Sequence, residues 1–122
     1  MTLFDTHAHY DDEAFDADRD AVLAAFDGLV IDPGCTLASS QTAVDLAARH
    51  PHVYAAVGIH PENCGDFVPE HMDALRQLAR EPKVVAIGEI GLDYYWPENP
   101  PRDFQQQVFR AQLELALELD LQ

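Results

Sequence analysis

Residues 83–93 read KVVAIGEIGLD, a run of apolar residues that ends in a carboxylate. Continuously apolar runs of this length are typical of strands buried on both faces, as in the middle of a parallel sheet. A lone carboxylate there is costly unless it is paired, protonated or bound to a metal. Glu89 therefore marks a strand end with a chemical task. Outward from it the same form recurs. GLVIDPG (28–34) is a second apolar run, stopped by Pro33 and Gly34, and HVYAAVGIHP (52–61) and TLFDTH (2–7) are two more. Between them lie segments with helical spacing. DEAFDADRDAVLAAF (12–26) sets Phe15, Val22 and Phe26 opposite its aspartates. Ser39 or Ser40 suits the N-cap of a helix carrying Val44, Ala47 and Ala48. A helix from about Pro69 to Arg80 presents Met72, Leu75 and Ala79. RDFQQQVFRAQLELALELD (102–120) aligns Phe104, Val108, Ala111, Leu115 and Leu119.

Strand and helix alternate along the whole chain, which predicts one α/β domain over residues 1–122 with parallel strands and right-handed crossovers. A closed barrel and a doubly wound open sheet both fit that order. In either, chemistry collects at the carboxyl ends of the strands. The first strand runs into FDTHAHYDD (4–12), where His7 and His9, two apart in an extended chain, face the same side. The third ends in His60 and the fourth in Glu89. Two imidazoles and a carboxylate make a site for a divalent ion. His60 is a substrate contact, a partner of a ligand or a loop histidine. Asp5 is placed to orient the ligand histidines, to meet a neighbouring strand or to complete the metal shell. Asp93 and Tyr94 follow Glu89 closely enough to hydrogen-bond to a ligand. His50, His52 and His71 are expected to face solvent.

The chain has 122 residues, 48% of them hydrophobic, enough for a core. No segment has the apolar length of a membrane span, and the first residues lack a signal-peptide pattern, so a cytoplasmic setting is expected. Cys35 and Cys64 are then reduced. Seven Lys+Arg stand against 22 Asp+Glu, a net charge of −15, with Lys83 the single lysine. Carboxylates in such excess repel unless salt screens them, which suits a halophilic source, though a merely acidic protein has the same balance. The acidity argues against a basic nucleic-acid groove. A phosphate-bearing substrate would need positive charge from elsewhere, and bound metal is one source.

Taken together and in order, FDTHAH, VGIHP, IGEIGLDYY and QQQVFRAQLELALEL resemble the TatD family of metal-dependent hydrolases. The resemblance implies a (β/α)8 TIM-type barrel with two divalent ions (Mg, Mn or Zn), His7 and His9 holding one and Glu89, the catalytic carboxylate, bridging both. It implies a deoxyribonuclease, with DNA or another phosphate-bearing molecule as substrate. Such barrels need about 250 residues. The chain is thus expected to be the N-terminal half, about four βα units, without the later histidines and aspartate of the family pattern. From this follow one partial metal site, little activity alone and self-association through open sheet edges. The alternatives are a non-catalytic half-barrel that binds metal weakly, or a related amidohydrolase acting on a small amide or ester.

Overall fold

A computed structural model describes residues 2–122. Four strands, β1 (Leu3–Asp5), β2 (Gly28–Pro33), β3 (Val53–Val57) and β4 (Val84–Ile87), form one sheet in the order β1-β2-β3-β4. Every pairing is parallel, with Phe4 opposite Leu29, Val30 opposite Val53 and Val57 opposite Ile87. Strand order equal to chain order is that of a barrel opened along one seam. A doubly wound sheet would reverse at a switch point. The chain is therefore an α/β half-barrel of four βα units.

Helices α1 (Arg19–Ala25), α2 (Leu37–Arg49), α3 (Glu70–Ala79) and α4 (Arg102–Leu119) follow the four strands in turn. Leu23, Val30, Leu46, Val53, Val57, Leu75, Val108 and Leu115 fill the core between them. The segment before β2 differs from the single amphipathic helix expected. It is a 3-10 turn at Glu13–Phe15 followed by α1, and Leu23 is the residue it buries fully. The cap of α2 also moves. Thr36 is the N-cap and Ser39 sits at the third helical position, each side chain bonding the other's backbone N–H. Ser40 instead exchanges hydrogen bonds with the backbone of Gly58. At its other end, α2 is closed by Lys83, whose ammonium donates to the carbonyls of Ala47 and His50.

Two glutamines correct the stripe expected on α4. Its buried face is Gln105, Val108, Gln112, Leu115 and Ala116, with Phe104, Ala111 and Leu119 half-buried beside it. The Gln112 amide accepts from Ile59 N–H (2.7 Å) and donates to Ile59 C=O (3.1 Å), taking the place of a neighbouring strand. Gln105 does the same for Asp93, at 2.8 and 3.0 Å. The three remaining histidines are also engaged. His50 meets Asp20, half-buried His52 bonds the Leu23 carbonyl, and His71 accepts from Val68 N–H ahead of α3.

The carboxyl ends of the strands draw together. Glu89 N–H, just beyond β4, donates to the Gly34 carbonyl just beyond β2, closing over β3. Gly58 lies beneath that closure, where a Cβ would come within 2.9 Å of the Gly88 carbonyl carbon. β1 and β4 are the sheet's edges. β1 is exposed throughout, with Leu3 and Phe4 each 55% accessible, and at β4 the Ile87 N–H is taken by the carbonyl of Gln122.

Candidate metal centre

That pinching of the strand ends brings three of the residues singled out above to one place. Nε2 of His7, Nε2 of His9 and a carboxylate oxygen of Glu89 all lie within 4.8 Å of one another. The edges of the triangle are 3.1 Å between the two imidazole nitrogens, 3.5 Å from His7 to Glu89 Oε2 and 3.6 Å from His9 to the same oxygen. Ligand atoms about 2.1 Å from one divalent ion sit about 3.0 Å apart at right angles and about 3.4 Å apart at tetrahedral angles. The three side chains therefore fit a single ion with little movement. Neutral imidazole nitrogens and a carboxylate are also a suitable donor set for one.

Behind Glu89 stand a thiol and an imidazole. Cys35, just past β2, lies with Sγ 3.5 Å from Glu89 Oε2. Burial, and next the charge of Glu89, push its thiol up to about 12, so it stays protonated and donates. Nε2 of His60 is 3.6 Å from the other oxygen, Oε1. Nδ1 of that ring accepts from Glu62 N–H, which leaves the ring proton on Nε2, aimed at Glu89.

His9 has a second set of neighbours. Its Nδ1 lies 3.7 Å from Asp11 Oδ1, and Asp11 N–H donates to Oδ2 of Asp32. Asp32 is wholly buried in β2. Burial, followed by the charge of Asp11, raises its carboxyl to about 8. One oxygen of each aspartate is buried without a hydrogen-bond partner. A carboxylate beside the free nitrogen of a metal-ligating imidazole orients the ring and fixes its tautomer. Asp11 stands in that position, with Asp32 behind it.

Asp5, Asp93 and Tyr94, also expected at the site, bond elsewhere. Asp5 accepts from His7 N–H at 3.1 Å, shaping the turn that aims the ring. Asp93 accepts from Tyr95 N–H, and the Tyr94 hydroxyl accepts from Gln106. Neither hydrogen-bonds Glu89 among the described residues. The sequence singles out neither Asp11 nor Asp32, and it marks Cys35 only as a reduced thiol. For Asp32 the signal was present, since a carboxylate inside the apolar run GLVIDPG is as costly as the one ending KVVAIGE. Cys35 carried no such mark.

The family model described as TatD related DNase matches residues 4–122. YabD of Bacillus subtilis, named an uncharacterized metal-dependent hydrolase, is 37% identical over 123 residues, which are 98% of this chain and 48% of YabD. TatD of Salmonella typhimurium, named a 3'-5' ssDNA/RNA exonuclease, is 38% identical over 124 residues, 98% of this chain and 47% of that protein. Among solved structures, the TatD homolog YjjV from Escherichia coli K12 matches with a TM-score of 0.88 at 34% identity, covering 98% of this chain and 48% of that one. A TatD-family hydrolase from Entamoeba histolytica, at 22% identity and a TM-score of 0.84, shares the fold over 97% of this chain and 46% of its own. The chain spans about half the length of the curated relatives it matches.

Proposed function

Because this chain belongs to the TatD-related DNase family, we propose that it supplies the N-terminal half of a metal-dependent phosphodiesterase barrel acting on the ends of single-stranded nucleic acid. The observation that carries this reading is the triangle of His7, His9 and Glu89, sized for one divalent ion. The ion itself, magnesium, manganese or zinc, supplies Lewis acidity, making a nearby water more acidic and offsetting charge that grows on a phosphate. The chain's own residues do the rest. His7 and His9 offer neutral nitrogens from the turn after β1. Glu89 adds the negative charge and is read as the catalytic carboxylate, and it would also help to hold a second ion. Cys35 donates to one of its oxygens and the His60 ring lies close to the other, so together they confine its rotamer. Asp11 steadies the ring of His9 from its far side. With a net charge of −15 on the chain, the metal site is the natural place for a phosphate to bind.

In this reading His7, His9 and Glu89 make one partial site, and a second ion would need ligands from elsewhere. Alone, the chain is thus proposed to bind metal weakly and to hydrolyse little. The experiment is to complete the barrel with the C-terminal half of a relative and follow nucleotide release from single-stranded DNA. Release that needs added metal, stops with EDTA and falls by orders of magnitude in Glu89→Ala supports the reading. Cleavage that survives EDTA, or turnover of small amides in place of DNA, overturns it.

A further inference from the structure

The loop that leaves Glu89 and leads into α4 combines a pinned backbone with unspent aromatic side chains. Gln105, buried in α4, receives Asp93 N–H and donates to the carbonyls of Asp93 and Pro100. Asn99 also donates to the Asp93 carbonyl, and Tyr95 N–H is taken by the Asp93 carboxylate. Pro97, Pro100 and Pro101 stiffen the remainder. On this frame Tyr95 is 80% exposed and Trp96 49%, their rings edge to face at 4.7 Å. A recess of about 390 Å³ opens beside them, lined also by Asp93, Asn99 and Arg102. The guanidinium of Arg102 lies over the Tyr94 ring at 4.5 Å. The arginine ion pairs are those of Arg19 and Arg76, and Arg102 has none among the described residues.

Rigid, exposed aromatic rings with an unpaired guanidinium at hand are what a flat, π-faced ligand needs. They are a poor hydrophobic core and, beside Glu98 and Asp103, a poor phosphate patch. Stacking on aromatic side chains is how single strands are held without reading their sequence. A loop pinned before binding loses little entropy on binding. Resting on the nuclease reading above, we propose that residues 93–102 form a nucleobase subsite, in which Tyr95 and Trp96 stack one base of a single strand beside the Glu89 centre. The base, more than the phosphate, is the group recognised here. Tyr95 and Trp96 follow Glu89 by six and seven residues, so no more than about 25 Å of chain separates them from it, a span of a few nucleotides that one strand can bridge.

Trp96 is the only tryptophan, so the protein's own emission reports on this loop. The 122-residue chain is titrated in EDTA with a short oligothymidylate and with the same oligomer lacking every base. Saturable quenching by the first and not the second is expected, with little change as KCl is raised, because few phosphate contacts contribute. Tyr95→Ala, an exposed loop substitution, is expected to weaken oligothymidylate binding about fivefold or more. Equal quenching by both oligomers, affinity unchanged in Tyr95→Ala, or a Trp96 emission already that of a covered ring and indifferent to either oligomer would overturn the subsite. Because EDTA removes the metal, the nuclease reading is judged apart. Base-dependent quenching with no hydrolysis by the completed barrel keeps the subsite and discards the nuclease; hydrolysis without such quenching does the reverse.

Discussion

Glu89 and Asp32 are both carboxylates set against apolar strands, and they meet opposite fates. Glu89 opens toward two imidazoles and is expected to ligate a metal with them. In calorimetry with manganese or zinc, His7→Ala, His9→Ala and Glu89→Gln should each weaken binding about tenfold or more, and affinity should fall toward acid as the imidazoles protonate. Unchanged affinity in all three would remove the site. Asp32, buried beside Asp11, keeps its proton to about pH 8, whereas in the unfolded chain it gives it up near the ordinary 3.8. Between those values the folded state holds the extra proton, so this contribution to stability is complete below about 4 and is lost as pH rises through about 8. Denaturant titration of the metal-free chain should show that loss on going from pH 5 to pH 8. Asp32→Asn, neutral throughout, should flatten it, and an equal slope in both proteins would refute the assignment. At this scale the grouping of His7, His9 and Glu89 was legible because period-two histidines and a strand-end glutamate are local patterns. The Asp11–Asp32 pair was not, because nothing in the chain order says that residues 21 apart share a hydrogen bond.

Among the elements, the strands and most helices could be read from periodicity, while the joints between them could not. The cap of α2 illustrates why. Thr36, Ser39 and Ser40 are all capping types, and only the second bond from Thr36 N–H to Ser39 decides among them. The glutamines of α4 are a stronger case, since a polar residue on a helix reads as solvent-facing until its partner across the core is known. Gln112 satisfies both the N–H and C=O of buried Ile59. Gln112→Leu keeps the volume and strands those two groups, so it should cost about 2–4 kcal/mol by equilibrium denaturation, despite making the face more apolar. A neutral or stabilising result would mean that Ile59 finds other partners. Gly58→Ala is expected to displace Glu89 by driving a methyl against Gly88, and to lower metal affinity with no change in the ligands themselves.

The whole molecule is a sheet with two edges and a large like charge. Leu3 and Phe4 lie exposed along β1, the kind of edge that pairs with another chain. Two copies joined along β1 would cover these side chains, so light scattering should find a dimer or larger species, increasingly as KCl screens the repulsion among carboxylates. Melting temperature should rise with KCl for the same reason. A compact monomer at every salt concentration would dismiss the pairing. The parallel order of the sheet was open to two architectures from the sequence, because alternation of strand and helix is common to both and only the lateral neighbours differ. The charge was plain from composition alone.

The two buried amides of α4 also have a consequence in time. Ile59 and Asp93 lie outside every strand and helix, where backbone protons ordinarily trade with solvent quickly. Here each proton is trapped by a glutamine side chain, so its release waits on α4 lifting away. In deuterium these two positions should exchange in step with the interior of α4, and Asp93 orders of magnitude behind Leu92 and Tyr94 on either side. The slowest clocks in the loops would then be wound by a helix that follows them in the chain.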